Sequence, residues 1–133
     1  MIISTRSVIE VAGFPKEHIE KVVVKIVEKL KQENNVIKSE VFEAIELKDK
    51  MQGFWSAFAE IEIDFENLDK ITAFCFEYMP SSIEILKPED INLKNIHFSN
   101  LLNDLLARLH EYDMVVKNLT ASNMALKKNV EKN

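Results

Sequence analysis

An α+β fold is predicted for this 133-residue chain by three features of the sequence. Segments that alternate apolar and polar residues with a period of two are interleaved with segments whose apolar residues recur every three or four positions. One strand-like segment, WSAFAEIEIDFE at residues 55–66, sets small and apolar residues against a carboxylate at every second place from Glu60 to Glu66. Beyond residue 99 a third pattern appears, in which apolar residues repeat at spacings of three and four over four heptads. The first two features predict a sheet covered by helices on one face, and the third predicts a long terminal helix.

The elements follow in order. Residues 6–12, RSVIEVA, alternate and are β-branched, which predicts a first strand with Ile9 and Val11 on one side. Pro15 suits the opening of a helix, and Glu17 and Glu20 suit its positive N-terminal end. Ile19, Val22, Val23, Ile26 and Leu30 then form the buried stripe, and KQENN ends the helix. Residues 36–47, VIKSEVFEAIEL, read as a second strand whose alternation slips once, as at a β-bulge. KDKMQG supplies a loop. The third strand turns Trp55, Ala57, Ala59, Ile61, Ile63 and Phe65 to one face. Asn67 caps a second helix lined by Leu68, Ile71, Phe74, Cys75 and Tyr78. SIEIL makes a fourth strand that stops at Lys87-Pro88, as an edge strand can. The order strand–helix–strand–strand–helix–strand is the ferredoxin-like split βαβ pattern. The expected division is a ferredoxin-like domain over residues 1–95 and a helix over 96–133.

In that helix, with Ser99 as its expected cap, Leu102, Leu109, Val116, Asn123 and Val130 occupy a positions, and Leu105, Tyr112, Leu119 and Leu126 occupy d positions. Leu101 and Leu106 widen the stripe at its start, after which it narrows to a two-position seam. A wide stripe suits a globular surface, whereas a two-position seam suits a second helix. An asparagine at an a position favours a two-stranded parallel pair and fixes its register; there Arg108 would face Asp113 of the second helix. A homodimeric coiled coil is the expectation, with a different protein's helix, or packing on the chain's own sheet, as its alternatives.

Composition excludes several classes. The apolar and charged fractions, 47% and 29%, are those of an ordinary globular domain. Two glycines cannot build a glycine-rich phosphate loop, and the single Cys75 rules out an internal disulfide or a multi-thiolate metal site. The N-terminal segment has no signal-peptide pattern, and no apolar run reaches the roughly 20 residues of a membrane span, so the cytoplasm is the expected compartment. Residues 1–98 hold 12 Lys/Arg against 18 Asp/Glu, a net −6 that repels phosphate backbones and anionic membranes. No nucleic acid and no membrane are therefore expected as partners.

On the third strand Phe58, Glu60, Glu62, Asp64 and Glu66 point away from the helices. Same-face neighbours on one strand stand nearly 7 Å apart, too far to share a cation bound at about 2–2.6 Å. Arg6 and Lys38 on the adjacent strands predict cross-strand charge pairing instead. The acidic row alone reads first as a solvated face and second as a surface for a basic partner. Val8, Phe42, Phe58 and Leu86 add an apolar patch that needs covering by the start of the C-terminal helix, a second subunit or a partner, and partner binding there is the expectation. His18, His97 and His110 have no zinc-binding spacing, Cys75 has no evident base, and Ser81 and Ser82 lack a nucleophile-elbow context. No catalytic, metal or cofactor site is expected.

Three families of this topology provide comparisons. The segment AGFPKEH lacks the phosphate-binding arginine of acylphosphatases and the CxxC of metallochaperones. QGFWSAFAEI resembles the third-strand signature of the RNA-recognition motif, but Gln52 stands at the basic position and Glu10 where a stacking aromatic would help. Gly13-Phe14-Pro15 resembles the loop by which ACT domains approach amino-acid ligands at dimer interfaces. The expected function is a non-enzymatic oligomerising interaction module; the alternatives are an ACT-like ligand-binding regulator and, third, an RNA binder.

Overall fold

The computed structural model describes residues 1–49 and 53–132. Residues 50–52, which hold Gln52 and part of the expected loop, lie outside the described residues, as does Asn133. The chain divides into two compact units, Met1–Ile91 and a second from Asn92 onward.

The first unit is a mixed α+β structure with an open antiparallel sheet. Its strands are β1 (Ile3–Gly13), β2 (Asn35–Val41), β3 (Ile45–Glu46), β4 (Trp55–Phe65) and β5 (Ser82–Lys87), and its helices are α1 (Lys16–Glu33) and α2 (Leu68–Tyr78). The sheet order is β2-β4-β1-β5, with β3 paired to the start of β4. β1 is longer than its alternating segment because pairing extends it: Ile3 lies opposite Phe65, and the ladder runs to Gly13 opposite Trp55. The expected second strand divides in two. The slip in its alternation corresponds to an irregularity between Val36 and Lys38, which leaves Ile37 unpaired and 59% exposed.

One hydrophobic core underlies the sheet. From β4 it takes Ala57, Ala59, Ile61, Ile63 and Phe65, from β1 Ile3 and Ile9, and from α1 Ile19, Val23, Val27 and Leu30. Val27 takes the inner position expected of Val22, which sits at the margin, because 19, 23 and 27 follow a single i+4 ridge of the helix. Two carbonyl bonds open α1: Pro15 accepts from the amides of His18 and Ile19 at 3.1 and 3.2 Å. Asn67 caps α2, its Oδ1 accepting from the Lys70 amide at 2.9 Å. Phe74 of α2 packs on Phe65 with ring centroids 5.5 Å apart, so both helices share the face that carries the core. Among the described residues of this unit, no helix packs on the other face of the sheet.

In the second unit, α3 spans Asn95–Lys132 as one 38-residue helix. It begins a turn before the expected Ser99 cap, the Phe98 amide already donating to the Lys94 carbonyl at 3.0 Å. Nothing in NIHF disfavours helix, so Ser99 becomes an interior residue. No helix among the described residues is long and apolar enough to cross a membrane.

Candidate functional site

Antiparallel register assembles the helix-free face of the sheet residue by residue. Across β1 and β4, Arg6 lies opposite Glu62, Val8 opposite Glu60, and Glu10 opposite Phe58. β2 sets Lys38 opposite Glu62 and Glu40 opposite Glu60, and β5 sets Glu84 opposite Arg6. Directly opposed residues share a face. The centre of this surface is therefore a single guanidinium ringed by carboxylates.

The distances bear this out. Arg6 Nε stands 3.1 Å from Glu60 Oε1, Nη2 3.2 Å from Glu62 Oε1, and Nη1 3.4 Å from Glu84 Oε2. Glu62 is the most enclosed of the three, with 24% of its side chain exposed. Glu10 accepts from the Ser56 hydroxyl at 2.9 Å. Asp64 lies opposite Ser4 on one side and Asn35 on the other. Glu40 and Glu60, two carboxylates, face one another across β2 and β4, an arrangement that costs stability unless a cation joins it. Six carboxylates against Arg6, Lys38 and, at one end, Lys87 opposite Ser4 leave the face net negative.

The fourth member of the acidic row departs from it. Glu66 lies past the end of β4, and its carboxylate accepts from Lys70 Nζ at 2.8 Å. That hydrogen bond, reinforced by the lysine's charge, holds the Glu66 carboxyl below its ordinary range. Glu66 thus belongs to the start of α2 and not to the face.

The apolar part of the face includes a residue the alternation did not reveal. A hollow of about 210 Å³ is lined by Ile37, Leu86, Glu62, Asp64, Ser4, Thr5 and Lys87. Ile37 enters it because of the β2 irregularity. Phe58 is half-buried in the middle of the face, and Phe42, just after β2, is 42% exposed with its amide donating to the Phe58 carbonyl at 2.9 Å.

The remaining candidates acquire structural roles. A Cβ on Gly13 would stand 2.8 Å from Ile19 Cδ1, so this glycine accommodates core packing. Phe14 rests against Phe54 with centroids 6.4 Å apart, and Lys16 spans the Trp55 ring at 5.1 Å and Glu43 at 3.0 Å. Burial pushes the Cys75 thiol up, opposite to the shift that activates a nucleophile. Ser81 closes the turn into β5, its amide and hydroxyl both donating to the Val8 carbonyl at 2.8 and 3.1 Å. Among the described residues no group of three or more His, Cys, Asp or Glu side chains could hold a metal ion.

On α3 the expected seam residues fall on one uninterrupted helix and are largely in solvent. Leu102 is 42% exposed, Tyr112 44%, Leu119 59% and Val130 74%, with Leu105 half-buried and Asn123 exposed. Leu106, Met114, Val115 and Met124 are exposed apolar residues off the seam; Met114, Val115 and Met124 are invisible to a strict a/d reading.

Among known proteins, the MJ0538 family matches residues 4–132 of the chain. The uncharacterized protein MJ0538 of Methanocaldococcus jannaschii is 35% identical to it over 98 residues, an alignment that takes in 74% of the chain and 35% of that protein. The alignment thus spans about a third of its relative's length. No solved structure matches the chain.

Proposed function

We propose the following for this chain, which belongs to the MJ0538 family: it is a non-enzymatic interaction module, a ferredoxin-like domain that binds a basic protein partner on its acidic sheet face and dimerises through α3. The ferredoxin-like reading is supported by the strand order β2-β4-β1-β5 and by two helices packed on one side.

The observation that carries the binding reading is the charge imbalance around Arg6. One guanidinium is divided among Glu60, Glu62 and Glu84, while Glu40 is set against Glu60 and Asp64 stands at the rim of the hollow. A lysine or arginine from a partner would relieve the Glu40–Glu60 opposition. A second basic side chain could lay its aliphatic stem on Ile37 and Leu86 in the hollow, beside Glu62 and Asp64. At about 210 Å³ the hollow is smaller than the roughly 300–1,000 Å³ of ordinary small-molecule sites, which favours a side chain over a metabolite. Gly13 also has a packing reason to be glycine, so a ligand-approach role is not needed to account for it. A dimer would present two such faces, so a partner with two basic segments gains effective concentration at its second contact.

The test is binding of a lysine-rich peptide by calorimetry at several salt concentrations. Reversal of Glu60, Glu62 and Asp64 to lysine should abolish binding and leave folding intact. Reversal of the exposed Glu17, Glu28 and Glu89 gives the same net charge and should leave a specific site working. Equal loss in both variants would mean that only net charge is being measured, and the face would not be a site. Sedimentation of the full chain, and of a chain stopped after Asn95, tests the dimer.

A further inference from the structure

We propose that two copies of α3 pair antiparallel, in the register that sets Leu109 beside the second copy's Leu126 and Tyr112 beside the second copy's Asn123. The proposal rests on the reading of α3 as a self-pairing helix; it reverses the parallel direction that Asn123 alone suggested and fixes the register.

Charge along the helix is the first argument. Residues 99–113 carry Asp104, Arg108, Glu111 and Asp113, a net −2. From residue 114 to 132 there are four lysines against Glu131, a net +3. Parallel pairing would stack each half on its like. Antiparallel pairing sets the acidic half of each copy along the basic half of the other, and the two helix dipoles oppose in the favourable sense.

Seam chemistry is the second. In an antiparallel pair each a residue meets a d residue. With Leu109 at Leu126, the neighbouring layers are Leu105 with Val130, Val116 with Leu119, and Tyr112 with Asn123. The two polar seam residues then share a layer, where the tyrosine hydroxyl and the asparagine amide can satisfy one another. Sliding the pair by one heptad would set Asn123 against Leu105, with its amide unpaired. Parallel pairing would stack the two Tyr112 side chains on each other.

The flanks agree. Antiparallel pairing brings e positions to e positions and g positions to g positions. Asp113, already 2.8 Å from Lys117 on its own helix, meets the second copy's Lys127 on its other side. Val115, 54% exposed and unexplained by the a/d pattern, stands about 4 Å along the axis from the two-fold, on the same flank as its own equivalent. Parallel pairing leaves Val115 beside Thr120 and Lys127 beside Ser122. Its one gain is Arg108 beside Asp113.

Disulfide trapping tests the arrangement in the full chain carrying Cys75→Ala. Bridging needs Cα atoms within about 7 Å. In the proposed pair, two copies of residue 109 stand about 25 Å apart along the axis, as do two copies of residue 126. Under mild oxidation Leu109→Cys alone and Leu126→Cys alone should stay uncrosslinked, whereas the double variant should close to a covalent dimer. A spin label at the exposed Asn103 leaves the seam intact and gives a second reading: about 45 Å between labels if antiparallel, under about 20 Å if parallel. Self-crosslinking of either single variant, or the short label distance, overturns the direction while the dimer stands. A long label distance with no closure in the double variant overturns the register. A monomer by sedimentation overturns the self-pairing reading itself, and this proposal with it.

Discussion

Arg6 and Glu62 lie directly opposite across β1 and β4, and their side chains meet at 3.2 Å. Glu60 and Glu84 close on the same guanidinium from either side. One cation thus offsets three carboxylates, and its removal leaves them facing each other. Arg6→Ala should lower unfolding free energy by about 1 kcal/mol in low salt, a modest figure because the cluster is part-exposed. The loss should shrink in 0.5 M salt. The same variant should bind a lysine-rich peptide more tightly, since the face becomes more acidic. Weaker binding on urea-unfolding-matched samples would mean that Arg6 shapes the site and is not its internal competitor.

Thr5 and Ser7, both fully buried on the helix side of β1, differ in one respect. Thr5 Oγ1 donates to the Ile63 carbonyl at 3.0 Å, whereas Ser7 Oγ has no hydrogen-bond partner among the described residues. An unpaired buried hydroxyl is a cost and a paired one a modest gain. Ser7→Ala should therefore be neutral or stabilising by up to about 1 kcal/mol, and Thr5→Val destabilising by about 1 kcal/mol, in urea titrations. Destabilisation by Ser7→Ala beyond that of Thr5→Val would show that the Ser7 hydroxyl has a partner.

Gly13 has φ +156, and Ile19 Cδ1 fills the space where a Cβ would go. Gly13→Ala should cost about 1–2 kcal/mol, part backbone and part steric. Ile19→Val removes the colliding methyl. In the double variant the steric part should vanish, giving non-additivity of about 0.5 kcal/mol or more in a double-mutant cycle. Strict additivity would assign the whole cost to the backbone.

The sheet core was legible because alternation in β4 and helical spacing in α1 and α2 state directly which side faces inward: Ile61, Ile63, Phe65, Ile71 and Phe74 are all buried as expected. Register was less so. β1 gains three residues at its start only because β4 is there to pair with them. The helix-free face was legible for Glu60, Glu62 and Asp64, since period two fixes their side. Ile37 was not, because an irregular pairing breaks the period on which the reading depends. Glu66 was misassigned for a related reason: its place in the row ignores that the strand ends at Phe65, where Lys70 one helical turn into α2 claims it.

Tyr78 joins the two helices of the first unit. Its hydroxyl donates to Glu33 Oε2 at 2.6 Å, and Lys29 lies over its ring at 5.5 Å. Burial, with the Glu33 hydrogen bond and charge, raises the phenol above its ordinary value of 10.0. Because the folded state holds this proton more tightly than the unfolded state, the contribution is fully present below pH 10. It declines as pH rises above that point, where the unfolded chain releases a proton that the native chain retains. Tyr78→Phe should lose about 1 kcal/mol at pH 7 and should flatten the fall in stability between pH 9.5 and 11. Denaturant midpoints across that range check it in a Tyr112→Phe background, which removes the other phenol. An undiminished alkaline fall would place the responsible proton elsewhere.

Asn123 interrupts a seam otherwise made of Leu, Val and Tyr112, and nothing in its own helix requires an amide there. A buried asparagine costs stability and restricts the pairings a seam can adopt, because other registers leave its amide unmatched. Asn123→Leu should therefore stabilise the dimer by about 1–3 kcal/mol from added apolar burial, read as a higher melting point at fixed chain concentration. It should also widen the distribution of species in sedimentation velocity, since the heptad-shifted register and larger assemblies lose their penalty. A variant that remains a sharp dimer with no gain in stability would place Asn123 outside the seam, and the paired helices would have to meet along a different stripe.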